Sequence, residues 1–178
     1  MDVIGGIVGL GITAVVYLPI AVAIKLDSPG PIFFVQERIG KGERLFKMHK
    51  FRTMHWKTRT DGTKPGPNDE RVTRVGRFLR RTSMDELPQF YNVLRGEMSL
   101  VGPRPEQAQL LDRYQNWQRR RFAVKPGLTG WWQVNGRKQP MQDHIEEDIY
   151  YVEHVSLWLD LVILFRTAWA VLNGKGAI

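Results

Sequence analysis

A chain of 178 residues, 43% of them hydrophobic, is long enough for one domain with a real core and too apolar for a disordered tail. It contains no cysteine, which rules out disulfides, thiolate metal sites and cysteine nucleophiles. Its net charge of +8 calls for an anionic partner: nucleic acid, acidic lipid headgroups or a phosphorylated substrate.

The charge is uneven along the chain. Gln36 to Arg81 holds 14 Lys/Arg against 5 Asp/Glu, whereas Asp143 to Asp160 is acidic. Ahead of the basic stretch, Val3 to Ile24 has no charged residue, and these 22 residues suffice to cross about 30 Å of hydrocarbon as a helix. The segment lacks the basic start and small-residue cleavage site of a signal peptide. A single spanning anchor is one reading. A re-entrant helix that enters and leaves by one face is the other, and Pro19 favours a kink there. The basic residues all follow the segment, which places the globular part in the cytoplasm under either reading.

Asp27-Ser28-Pro29-Gly30-Pro31 breaks the chain. Ile32 to Arg38 and Arg44 to Arg52 flank a glycine-bearing turn and read as a β-hairpin. Thr58 to Asn68 reads as a loop. Arg71 to Arg81 has one basic and one apolar stripe at helical spacing, fitting a helix at a membrane surface or an ordinary solvated face. Further helices are expected over about 85–95, 105–121 and 145–172, and a short strand over Trp131 to Val134. Trp158 and Trp169 suit either a headgroup-level anchor or core packing. The fold class is therefore a small α+β unit.

Chemistry concentrates at Arg80-Arg81-Thr82-Ser83-Met84-Asp85-Glu86-Leu87-Pro88-Gln89. Ser83 and Glu86 have capping-box spacing, which would make Glu86 structural. Pro88 argues for Asp85 as the cap instead, because Pro88 then falls where an N–H has no helical partner. Adjacent carboxylates at a helix start can serve phosphoryl transfer, one as nucleophile and one as ligand for Mg²⁺. Guanidinium forks pair with phosphate oxygens, and the nearest candidates are Arg80 and Arg104, the latter framed by Pro103 and Pro105. Lys50, Arg52 and Arg137 are weaker candidates. The four histidines lack zinc-ligand spacing, and no Walker loop, GxGxxG or serine elbow is present.

Taken together, these stretches resemble the bacterial sugar transferase family, the monotopic polyprenyl-phosphate phosphoglycosyl transferases. The likeness runs through Leu26 to Pro31, Gln36 to Gly40, Lys50 to Met54, Asp85 to Gln89, Asn92 to Pro105, Lys125 to Gly130 and Gln133 to Arg137. It implies a re-entrant helix over 1–26, broken at Pro19, and a catalytic unit over 27–178 at the cytoplasmic face of the bacterial inner membrane. It implies Asp85 as the nucleophile towards a UDP-sugar, Glu86 as the Mg²⁺ ligand, and Arg80 and Arg104 at substrate phosphates or the nucleotide. Polyprenyl (undecaprenyl) phosphate would be the acceptor and membrane lipids the surroundings, with no nucleic acid partner; a homodimer is compatible. The ending from Asp160 to Ala177 is similar to that of larger members, so the chain is expected to be either a catalytic domain of one or a short homologue. The rival is a membrane-anchored basic module that binds nucleic acid or lipid without catalysis.

Overall fold

The uncharged N-terminal run sets the first element. In the computed structural model, α1 (Asp2–Asp27) is one continuous helix with Pro19 inside it. The structure describes residues 1–58, 69–135 and 145–173. The expected loop to Asn68 therefore lies almost wholly outside them, as does Arg137. At about 1.5 Å per residue α1 is about 39 Å long, and it is long and apolar enough to cross a membrane. One stripe of α1, including Gly6, Gly9, Thr13, Ile20 and Ile24, is buried, while Ile4, Ile7, Val15 and Leu18 are exposed.

Both ends of α1 are bonded to the rest of the protein. The Asp2 carboxylate accepts from the Leu100 N–H (3.1 Å) and the Ser99 hydroxyl (3.0 Å). The Asp27 carboxylate accepts from the Val75 N–H (2.8 Å), at the start of α2 (Arg74–Arg81).

The hairpin is as expected. β1 (Phe33–Ile39) and β2 (Leu45–Phe51) pair antiparallel from Phe33↔Phe51 to Ile39↔Leu45, about a turn in which Gly42 has φ 65°. Cross-strand partners share a face, so the register sets Arg38, Gln36 and Lys50 on one side with Phe46 and Met48. β4 (Glu106–Gln107) extends this sheet at the β1 edge. A second, parallel pair joins β3 (Ser99–Val101) to β5 (Gly127–Thr129).

Several expectations are corrected. Asp85 does not cap a helix: a 3₁₀ turn over Met84–Glu86 precedes α3 (Gln89–Leu94), and Pro88 is the residue that caps it. Ser83 is left-handed, with φ 56°, and turns the chain out of α2 into this run of tight turns. The span 105–121 is not one helix. Glu106 is drawn into the sheet opposite Ile39, and two 3₁₀ segments (Ala108–Arg113 and Gln118–Ala123) follow, separated by extended backbone at Tyr114. Trp131–Asn135 is a helix, α4, not the expected strand, and a strand lies just before it at Gly127–Thr129. The C-terminal helix is two: α5 (Ile145–Glu153) and α6 (Leu157–Leu172), divided at Ser156, whose hydroxyl accepts from the Leu159 N–H.

Apolar burial falls into three clusters. Phe46, Met48, Val93, Met98, Leu100 and Ile163 form one between the hairpin, α3 and α6. Ile39, Tyr114, Phe122, Ile145 and Ile149 form a second. Ile20, Ile24, Phe51 and Leu79 seat α1 on β2 and α2. Trp158 and Trp169 lie on the surface, 76% and 64% exposed, beside an equally bare Phe165 on α6.

Candidate active site

The site forms where the hairpin, the 3₁₀ turn and the Pro103–Pro105 segment meet, on the domain side of α1. The Thr13 hydroxyl of α1 lies 2.7 Å from the Gly9 carbonyl and 3.2 Å from that of Leu87, directly after Glu86. On the other side Asn92 of α3, fully buried, accepts from the His49 N–H and donates to the Lys47 carbonyl of β2. The turn carrying Asp85 and Glu86 is thus held between the membrane-type helix and the hairpin.

Glu86 takes the direct ion pairs. Lys50 Nζ lies 2.6 Å from its Oε1, and Arg104 Nη2 lies 3.7 Å from the same oxygen. Asp85 is 9% exposed. Burial, and next the adjacent Glu86 carboxylate, push its carboxyl up to about 6, against the opposing pull of Lys50, Arg80 and Arg104. Arg80 donates through Nε to the Thr53 hydroxyl (2.9 Å), and burial lowers its pKa.

The structure therefore brings together Asp85, Glu86, Lys50, Arg80 and Arg104. It does not bring Arg52 to them. The Arg52 guanidinium is buried at the end of α1, donating to the Ser28 hydroxyl (2.7 Å), the Ser28 carbonyl (2.8 Å) and the Pro29 carbonyl (2.6 Å). It joins the breaker after α1 to the end of β2. Pro19 lies outside this cluster, and α1 runs through it as one helix, so the expected break there is not present.

One residue missed in the sequence belongs here. Arg38, on the Lys50 face of the hairpin, donates to the Pro105 carbonyl (3.1 Å) and the Gln36 amide oxygen (2.7 Å). Burial, and then the neighbouring Arg104 guanidinium, lower its pKa to about 10. Its place in Gln36-Glu37-Arg38-Ile39-Gly40, in phase with Lys50, was the available signal.

Lys50, Arg80 and Arg104 thus face two carboxylates, with Arg38 bonded to the Pro105 carbonyl beside Arg104, and the site attracts anions without help from a helix dipole. No group of three or more His, Asp or Glu side chains converges among the described residues. That donor set does not make an all-protein metal cage. It fits Mg²⁺, which takes one or two carboxylates and leaves its other positions to water and substrate phosphates. A cavity of about 530 Å³ lies elsewhere, between the end of α1 and the start of α2, and neither Asp85 nor Glu86 lines it.

The family model for bacterial sugar transferases matches residues 1–174. The chain belongs to the bacterial sugar transferase family. This member is 43% identical to the UDP-N-acetylgalactosamine-undecaprenyl-phosphate N-acetylgalactosaminephosphotransferase of Aeromonas hydrophila, over 99% of its own length and 44% of that protein. It is 49% identical to the UDP-glucose:undecaprenyl-phosphate glucose-1-phosphate transferase of Xanthomonas campestris pv. campestris, over 90% of its length and 35% of the relative. A protein of the same description from Caulobacter vibrioides is 44% identical, over 99% of this chain and 70% of the relative. The chain thus spans less than half of the first two proteins, and the bacterial sugar transferase region is the part it shares with them.

Proposed function

We propose that this bacterial sugar transferase moves a sugar 1-phosphate from a UDP-sugar to undecaprenyl phosphate at the cytoplasmic face of the inner membrane. The observation that carries the reading is the buried Asp85 carboxyl, beside Glu86 and among Lys50, Arg80 and Arg104, on a turn held against α1. The relatives' names supply both substrates.

The reaction runs in two displacements. The Asp85 carboxylate attacks the β-phosphorus of the donor, a P–O bond to Asp85 forms, and the bond from that phosphorus to the bridging oxygen breaks. UMP leaves with the bridging oxygen and its electron pair. A phosphate oxygen of the lipid acceptor then attacks the same phosphorus, the acyl phosphate bond breaks, and Asp85 returns as carboxylate. A polyprenyl diphosphosugar is the product, the first lipid-linked intermediate of a surface glycan. Arg80, Arg104 and Lys50 bear the charge that builds on the phosphate oxygens. Glu86 would hold Mg²⁺, which would supply Lewis-acid stabilisation of those oxygens when bound. Protonated Asp85 cannot attack, so kcat/KM rises as pH passes through about 6.

The two bonded ends of α1 support the re-entrant topology. A helix that crossed the bilayer would carry Asp2 away from Ser99 and Leu100, which belong to the same unit as Val75, the partner of Asp27. The test of the reaction is UMP release from a panel of UDP-sugars, with and without undecaprenyl phosphate, in wild type and Asp85→Asn. Acceptor-dependent release from one sugar, lost in the variant, is expected. Release that survives in Asp85→Asn would overturn the covalent route.

A further inference from the structure

Proline fixes φ and offers no N–H, so Pro103-Arg104-Pro105 has three carbonyls and one backbone donor. All three carbonyls are taken, each by a different element. The Gly127 N–H of β5 donates to the Pro103 carbonyl (2.9 Å). Arg121 Nη2, from the second 3₁₀ segment, donates to the Arg104 carbonyl (2.8 Å). Arg38 Nη1 of β1 donates to the Pro105 carbonyl (3.1 Å). There is no slack behind the segment either: a Cβ at Gly102 or Gly127 would meet the other's backbone.

Two of these donors are charged, and the protein spends buried charge to hold them. Arg121 is 1% exposed. Its Nε and Nη2 donate to one Asp148 oxygen (3.0 and 2.6 Å), and its Nη1 donates to the Tyr114 hydroxyl (3.0 Å). Tyr114 donates in turn to Glu106 (2.7 Å), whose carboxylate lies 3.8 Å from Arg121 Nη1. Glu106 follows Pro105 and pairs with Ile39, next to Arg38. A buried ion pair returns little net stability, since desolvation offsets its attraction. What this arrangement delivers is geometry. The Arg104 side chain, by contrast, is 36% exposed and 3.7 Å from Glu86, so its aim depends on its backbone.

We propose that Arg38 and Arg121 are positioning residues: a carbonyl clamp, joined through Glu106 and Tyr114, that fixes the backbone of Arg104 so that its guanidinium meets the donor's phosphates. The proposal rests on the phosphoryl-transfer reading for its consequence, not for its geometry. A clamp acts only through the residue it holds. Once Arg104 is gone, loosening the clamp should cost nothing more.

The test is a pair of double-mutant cycles on kcat/KM for the UDP-sugar, using the whole chain in nanodiscs. Arg38→Gln and Arg121→Lys are each expected to lower kcat/KM about 10- to 100-fold, the range of a misplaced phosphate-binding group. In an Arg104→Ala background each should lower it less than about 3-fold further, whereas in an Arg80→Ala background the losses should multiply. Arg80 is held by Thr53, outside the clamp, so a general structural defect would multiply in both. Losses that multiply with Arg104→Ala would overturn the proposal. If Arg121→Lys does not fold, the Arg38→Gln cycles decide alone. If wild type releases no UMP at all, the reaction reading falls, and the clamp is then judged by amide exchange at Gly127. Exchange about 10-fold faster in Arg38→Gln, at unchanged Tm, supports the clamp; unchanged exchange refutes it.

Discussion

Asp85 is a residue whose charge the fold opposes. Its carboxyl is raised to about 6, against an ordinary value of 3.8. A raised carboxyl contributes stability that is complete below the unfolded value and lost as pH climbs through the folded one. Between about pH 4 and 6 the protein should therefore give up about 3 kcal/mol to keep this side chain ionisable. Asp85→Asn should melt higher than wild type at pH 7 by that amount and show no advantage at pH 4, as differential scanning calorimetry can measure. Loss of turnover in this variant would then reflect chemistry and not unfolding. Lys50 acts on the same group in the opposite sense, lowering its pKa. Lys50→Met should move the acid limb of the pH–rate profile upward, and a limb that stayed in place would separate Lys50 from Asp85 electrically. Residues of this kind were legible in the sequence because they are near neighbours: Asp85, Glu86 and Arg80 share one stretch, and Pro103 and Pro105 flag Arg104. Arg38 and Arg121 were not, since each is defined by a carbonyl that only the tertiary fold supplies. Arg52 was misread for the same reason, its partners Ser28 and Pro29 being brought near by the hairpin.

At the level of elements, local pattern succeeded where it was decisive and failed where contacts overruled it. The hairpin followed from two short runs about a glycine-bearing turn, and α1 from its uncharged run. Trp131 to Val134 has the aromatic and β-branched composition of a strand, yet the parallel partner of β3 ends at Thr129, and the chain coils at once, with Val134 N–H bonded to the Gly130 carbonyl. The helix expected at Asp85 was displaced by the left-handed Ser83, whose conformation no neighbouring residue announces. The seam between α1 and α3 is the contact that sets the height of the turn carrying Asp85 and Glu86. A Cβ at Gly9 would enter the Phe90 ring, and one at Gly6 would meet Leu94. Gly9→Ala should cost about 1–3 kcal/mol by overpacking and lower UMP release. Phe90→Leu on that background should recover part of both, by thermal melting and the same assay. Recovery of neither would mean that the close approach is not what fixes this seam.

For the molecule as a whole, the absence of cysteine turns topology into a clean labelling experiment, since any thiol introduced is the sole one. Val3, Val15 and Leu26 are 67%, 80% and 84% exposed on α1. In sealed vesicles, single cysteines at Val3 and Leu26 should react with an impermeant maleimide from one side and a cysteine at Val15 from neither; labelling of Val3 and Leu26 from opposite sides would make α1 a spanning helix. The bonds at the two ends of α1 also constrain how the protein is made. The Asp2–Ser99 contact joins residues 97 positions apart. During synthesis the greasy N-terminal segment leaves the ribosome long before the residues that receive its first turn. In that interval its apolar surface has no partner from this chain, and the bonds at its two ends close only afterwards. Under the proposed topology the bilayer would cover that surface meanwhile, so delivery to the membrane would come before assembly of the site.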